Sequence, residues 1–369
     1  MPSLVRREKF LLIALLVAGL AAFTEHAILD AGKLAALGAA ILLILVIVLT
    51  STRVAHHAEV LAHKVGDPYG TMILTLSAVA VEVLILAILM NSSSSPTLVR
   101  DTIYAAVMLD INGILGLAAL LGGLRHGEQP YNDNSGKTYG VMILTAMGIS
   151  MVVPEFVPKD RWHYYSAFTI AAMIALYGLF LRMQVGPHSY FFSYSYPRQK
   201  VRAPAEAQTA PAGSTPQEGS ATASIAIILA GVVLIGLLAE FMSGFINTGL
   251  EGSGAPPALM AVIVAAISAA PEILTALRAA LRNRMQSVVN IAMGASLSTV
   301  ILTVPVMEAI ALYTGQPFIM AMTPVQTVMV TITLIAAAIN LNDGETNAIE
   351  GMTHFVLFAT FLMLTVIGL

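Results

Sequence analysis

The sequence predicts an all-α polytopic membrane protein of about eleven transmembrane helices, built as an extra N-terminal helix followed by two inverted five-helix repeats. Three observations carry that expectation: the apolar content, the spacing of the apolar segments and one polar linker that divides them. Of 369 residues, 57% are hydrophobic and only 11% charged, with a mean hydropathy of +0.82, whereas soluble domains carry roughly 25% charge. A spanning helix needs about 20 apolar residues. The chain offers eleven such segments, near 10–28, 34–52, 69–91, 102–122, 139–156, 164–183, 224–245, 256–277, 287–312, 321–340 and 349–369.

The first segment lacks the small-residue cleavage pattern of a signal peptide and is closed by Glu25 and His26, so it is expected to stay as a helix. Lys and Arg set the orientation. With the N-terminus cytoplasmic, fourteen of the eighteen fall inside, leaving Lys33, Arg100, Lys159 and Arg161 outside, with the C-terminus. Trp162, His163, Tyr164 and Tyr165 then form an aromatic belt at an outer helix end. The absence of cysteine excludes disulfides, thiolate metal sites and cysteine nucleophiles.

Residues 197–222 are rich in Pro, Ala, Ser, Thr and Gln and lack apolar periodicity, which reads as a disordered cytoplasmic linker. The chain is thereby divided into an extra helix (1–31), a first repeat (32–196), the linker and a second repeat (223–369). With five segments on each side, the second repeat enters the membrane from the opposite face. That is the arrangement of inverted-repeat transporters, whose sites lie near the midplane between the repeats.

The acidic residues sharpen this reading. Glu82 lies in GDPYGTMILTLSAVAVEVLIL and Glu272 in APPALMAVIVAAISAAPEIL, each in the second segment of its repeat. The third segments also correspond, with Asn112 in one and Asn290, Ser296 and Ser298 in the other. An ionised side chain at the bilayer centre costs at least about 2.5–3.5 kcal/mol, so two at matched positions point to a site for a cation. Calcium takes about six to eight oxygens. Two carboxylates supply up to four, and Pro271, having no N–H, releases the carbonyl of Ile267 beside Glu272. Ser268 and Thr75 lie on the faces of Glu272 and Glu82, although such hydroxyls commonly bond their own helix. The metal-ligating set expected is therefore Glu82, Glu272, Asn112, Ser298, Ser296, Thr75, Ser268 and Asn290, with no cofactor. Asp110, two residues from Asn112, is expected to face away. Glu155, Glu240 and Glu308 are expected at helix ends, His56, His57 and His63 in a solvated loop, and Glu350 with His354 as a structural pair.

The two acidic runs, with PEILTALRAALRNRMQSVVNIAMGASLSTVILTVP, LLGGLRHGEQ and DGETNAIEGMTHF, resemble the calcium/cation exchanger superfamily, most closely the bacterial ChaA-type calcium/proton antiporters. The resemblance implies an exchanger of the bacterial inner membrane with ten core helices, in which Glu82 and Glu272 match the paired cation-binding acids. The family's polar residue or proline before the first acid is replaced here by Ala80 and Val81. Its substrates would be Ca2+, or Na+ or K+, and protons, with lipid as the surroundings and no nucleic acid.

Charge gives the expected mechanism. Two facing carboxylates are neutralised equally by one divalent cation or two protons, and an empty doubly charged site is costly to carry across the apolar barrier. Coupling then follows from changing sides only when loaded, the second and seventh helices moving against the rest, with Gly113, Gly116 and Gly294 permitting close contact. A passive channel and an intramembrane hydrolase are the other classes; the chain has no H-E-x-x-H, G-x-S-x-G or nucleotide-binding G-x-x-x-x-G-K-[ST]. If residues 203–219 only span their ends, partial deletion should leave cation-driven proton movement in vesicles intact, and loss of flux in a correctly inserted deletion would assign the segment a regulatory role.

Overall fold

The computed structural model describes residues 8–65, 69–92, 95–194, 221–256, 258–315 and 318–369. The linker expected at 197–222 lies almost wholly outside the described residues, as does the side chain of His63. The described chain is helical except for one two-stranded antiparallel ladder, β1 (Gln129–Pro130) with β2 (Glu345–Thr346).

In chain order the helices are α1 (Lys9–Asp30), α2 (Lys33–Val65), α3 (Tyr69–Ser92), α4 (Leu98–Met108) and α5 (Gly116–His126), the last two joined by a π-helical segment, Leu109–Leu115. Next come α6 (Asp133–Met147), which runs into a π-turn and a 3-10 turn, α7 (Trp162–Val185) and α8 (Ala221–Leu250). The remainder are α9 (Ala258–Ser268), α10 (Ala270–Leu281), α11 (Met285–Ser298), α12 (Val304–Thr314), α13 (Pro324–Asn340) and α14 (Ala348–Val366), with a π-segment, Thr299–Thr303, between α11 and α12.

Among the described residues, eight continuous helical stretches are long and apolar enough to cross a membrane, nine if the bent pair α9–α10 is one span. Two shorter apolar helices, Thr75–Met90 and Pro324–Asn340, accompany them. Their outward faces are apolar: Leu15, Leu16, Leu20 and Phe23 on α1, and Leu42 and Leu45 on α2, are exposed, as lipid contact requires and water would penalise. α2 is longer than a membrane needs, and it carries His56 and His57 on a regular helix instead of the expected loop. There Arg53 donates to Glu8 (2.7 Å), and His57 Nε2 and Nδ1 lie 3.2 and 3.4 Å from Glu8 Oε1 and Ser224 Oγ, tying α1, α2 and α8 together. Burial works to raise the pKa of Glu8, yet the hydrogen bonds from Arg53 and His57 and their charge hold it below the ordinary carboxylate value.

α2 and α8 pack along each other, with α1 and α3 against both. The other half of the bundle is drawn tight by glycines between α5 and α14. A Cβ added at Gly351 would fall 2.2 Å from Leu120 N, one at Gly123 2.3 Å from Ala348 N, and one at Gly116 2.8 Å from His354 Cβ. Of the three glycines singled out from the sequence, Gly116 and Gly113 do touch α14, whereas Gly294 meets only Tyr139, at an ordinary 3.7 Å. Because the obstruction at Gly351 is backbone, Gly351→Val should force the helices apart and lower stability by about 1–3 kcal/mol, read as earlier thermal aggregation in detergent. Gly178→Ala, which meets nothing within 4 Å, should not shift the transition.

Candidate functional site

A partly enclosed cavity of about 560 Å³ is lined by Glu82, Asp110 and Glu272 together with Thr75, Ser268, Asn290, Ser298 and Thr299. Each acid meets a local departure from α-helical geometry there, in its own helix or in the one it faces. Glu82, on α3, is buried, and its Oε2 accepts from Thr299 Oγ1 (3.0 Å) and Thr303 Oγ1 (3.1 Å). Those two threonines bracket the π-segment Thr299–Thr303, just before Pro305. Proline has no N–H to continue the α-ladder and crowds the preceding turn; the two hydroxyls, four residues apart, share one face and meet one oxygen. π-bulges of this kind cluster at functional sites.

Glu272 sits in the first turn of α10, after a 57° bend from α9. Pro271 makes the break, and the new N-terminus offers free backbone N–H groups and a positive dipole end to the carboxylate. Asp110 lies in the π-segment of the α4–α5 rod and is 2% exposed, with Oδ2 accepting from Ser296 Oγ at 3.2 Å. Glu82 Oε1 and Glu272 Oε2 are buried and have no hydrogen-bond partner among the described residues. The cavity thus presents three carboxylates, two of them with an oxygen available to a ligand.

Two expectations about α4–α5 are reversed. Asn112 is buried away from the cavity, donating from Nδ2 to Thr333 Oγ1 (2.7 Å), with Oδ1 2.9 Å from His354 Nδ1. Asp110, which was expected to face away, faces the cavity. Residues two apart on a helix point in nearly opposite directions, so only one could be at the site, and the choice depended on which face of the rod met the neighbouring half. The signal for Asp110 was in the sequence: an acid inside an apolar segment, as costly there as Glu82.

The neutral oxygens are less free than the sequence implied. Ser298 Oγ lies 2.9 Å from the carbonyls of Gly294 and Ala295, and Ser268 Oγ lies 3.2 and 3.0 Å from those of Val264 and Ala265. Both still line the cavity, as does Thr75, while Ser296 is engaged with Asp110. Asn290 lines it too, with Nδ2 spent on the carbonyl of Phe192.

Other polar residues lie elsewhere. Glu308, expected at a helix end, is buried between α12 and α7, where Thr169 Oγ1 lies 2.5 Å and Ser166 Oγ 3.4 Å from its oxygens. Glu155 and Glu240 are exposed. Glu350 and His354 do not bond each other; Glu350 accepts from Asn347 Nδ2 (3.0 Å).

Residues 35–186 and 223–367 match the family described as sodium/calcium exchanger protein. The sodium-potassium/proton antiporter ChaA of Escherichia coli is 33% identical over 330 residues, covering 87% of this chain and 87% of that protein. A Ca(2+)/H(+) antiporter of Aphanothece halophytica is 25% identical over 314 residues, 83% of each. The crystal structure of the selenium-substituted Ca2+/H+ antiporter protein YfkE superposes with a TM-score of 0.75 at 17% identity, covering 97% of this chain and 99% of that one. At that identity the likeness speaks to the fold.

The geometry makes a chemical forecast. A hydrophobic carbodiimide should label Glu272 and Glu82, each with an unpartnered oxygen, faster than Glu308, whose two oxygens are both engaged. Peptide mass spectrometry checks the order, and equal labelling of all three would contradict this account of the cavity.

Proposed function

Because this chain belongs to the sodium/calcium exchanger family, we propose that it is a secondary antiporter exchanging a cytoplasmic cation, Ca2+ in the first reading, for external protons by alternating access at this cavity. The observation that carries the proposal is the gathering of Glu82, Glu272 and Asp110 on one cavity, with unpartnered oxygens on the two glutamates. The transport class is supported by the relatives, which are antiporters by name.

Several features favour eleven spans in two inverted repeats. The eight long apolar stretches, the bent pair and the two shorter helices among the described residues would make eleven spans if each crosses once. The family match comes in two pieces, 35–186 and 223–367. Packing is reciprocal: α3, with Glu82, lies against the Thr299–Thr303 segment and α12, while α9, leading to Glu272, lies against α4. Each glutamate is thereby held against the third span of the other half.

Glu82 and Glu272 are the cation ligands and proton acceptors, with Thr75, Ser268, Ser298 and the carbonyls at the Pro271 break as neutral oxygens. A divalent cation balances two carboxylates, so a proton neutralises the third, Asp110. Replacing Ca2+ by two protons restores the same net charge, and only these neutral forms cross without a large desolvation cost. Exchange follows from that equality. A cavity of about 560 Å³ far exceeds one bare ion, so water completes the shell of about six to eight oxygens that Ca2+ takes.

A second reading, Na+ or K+ for protons, is favoured by one observation: the 33%-identical Escherichia coli relative bears the name sodium-potassium/proton antiporter. A monovalent ion balances one carboxylate and leaves a second proton in the site, and its single charge is drawn about half as strongly.

In reconstituted vesicles with a pH dye and the potential clamped by an ionophore, Ca2+ should drive proton movement that is indifferent to voltage. Glu82→Gln and Glu272→Gln should each abolish it while inserting normally. Near-normal flux in either variant, or steep voltage dependence, overturns the site or the stoichiometry, and flux with Na+ or K+ but not Ca2+ selects the second reading.

A further inference from the structure

The segment after α7 does not run directly away from the bundle. Gly186 and Pro187 stop the helix at Val185, and the chain turns back through a 3-10 turn, Ser189–Phe192. Ser189, Phe192 and Ser193 line the same cavity as Glu82, Asp110 and Glu272. The Phe192 ring stands edge-on to Tyr139 (5.3 Å between centroids) and Phe180 (5.6 Å), both of which also line it. An aromatic cluster therefore borders the polar chamber on the side of this segment.

The segment is held by side chains of two other helices, at its backbone. Asn290 Nδ2, on α11, donates to the carbonyl of Phe192 at 2.8 Å. Asn132 Nδ2, at the start of α6, donates to the carbonyls of Tyr190 (2.8 Å) and Ser193 (3.3 Å). Gln286 joins the two asparagines, its Nε2 donating to Asn290 Oδ1 (2.9 Å) and its Oε1 accepting from Asn132 N (2.7 Å). Besides this amide chain, the Phe192 ring packs against the core through Tyr139 and Phe180. Ser189, Tyr190 and Ser193 are exposed, and Phe191 and Phe192 are half-buried. Few buried contacts around a short, irregular segment mark the low-stability end of a fold, where lids are drawn from.

We propose that residues 186–194 are a lid on the cavity, latched by Asn290 and Asn132 through Gln286, with Phe192 as the plug that must swing out before a hydrated cation reaches the acids. The inference rests on the exchange reading for its purpose, but the lid itself is a matter of access and is measured without transport. It also gives Asn290 a role other than the ligand role expected from sequence: its amide nitrogen serves the latch. Closing an apolar aromatic neck excludes water from the acids and strengthens every electrostatic interaction inside; opening it lets a cation keep its hydration shell until it meets the carboxylates.

The chain contains no cysteine, so a single reporter thiol can be placed in the cavity at Ala106, which lines it and is buried. In purified Ala106→Cys protein, modification by a charged, bulky thiol reagent should be slow, and adding Phe192→Ala or Asn290→Ala should raise the rate about tenfold. Phe192→Leu, which keeps an apolar plug, should hold the rate near that of the parent, and size-exclusion profiles establish that each variant is folded. Separately, Asn132→Cys with Ser193→Cys, oxidised to fasten the lid, should stop cation-driven proton flux until reductant is added. Rates unchanged by both alanine substitutions, or full flux through the oxidised pair, overturn the lid. A lid confirmed by the thiol rates in a protein without cation-driven flux would leave the lid standing and sink the exchange reading.

Discussion

The structure depends on the cost of placing carboxylates where water is scarce. Glu82, Asp110 and Glu272 share one cavity, and an isolated ionised side chain at that depth costs at least about 2.5–3.5 kcal/mol, more when like charges are neighbours. Three answers to that cost are built into the chain. Hydroxyls of Thr299 and Thr303 reach Glu82, Ser296 reaches Asp110, and a helix N-terminus meets Glu272. What these leave over, the free oxygens of the glutamates, is what a cation or protons would satisfy in the proposed exchange. In that proposed exchange, the arrangement that makes the empty site unfavourable also makes loading a condition for movement.

Those answers require imperfect helices. A regular α-helix hides its backbone polar groups and fixes its side chains at 3.6 per turn, which serves lipid contact but not ligand binding. Three irregularities fall where the acids are: π-segments at Leu109–Leu115 and Thr299–Thr303, and the 57° break at Ala269; the π-turn that ends α6 lies outside the cavity lining. Two of the three adjoin a proline, Pro305 and Pro271. The rest of each rod stays regular, and its outer face apolar.

Packing is uneven in a way that suits a moving protein. The α5–α14 contact is backbone against backbone through Gly123 and Gly351, leaving no room for side-chain adjustment, so that pair belongs to a rigid part. α2 and α8 lie along one another with α1 fastened to both through Glu8, Arg53, His57 and Ser224. In the proposed alternating access the extra N-terminal helix travels with this pair, because any sliding between them would break that half-buried network.

The amino-acid sequence by itself determined the helical membrane class, because mean hydropathy and the length of apolar runs are local properties that no tertiary contact alters. It also marked Glu82 and Glu272, since an acid inside an apolar run is conspicuous wherever the helix ends up, and it marked Pro271 as a break, since a missing N–H is a covalent fact. The choice between Asp110 and Asn112 was decided only by the tertiary structure: both lie in the same run, and which of two opposite faces meets the other half is a property of packing. For the same reason Glu308 could be read as a helix-end residue until α7 was seen covering it with Thr169 and Ser166. The partners Thr299 and Thr303 of Glu82, and the hold of Asn290 and Asn132 on residues 190–193, join positions between about 58 and 221 residues apart. Contacts of that span leave no periodic trace in the chain, because they are made by the fold and not by the helix that carries either partner.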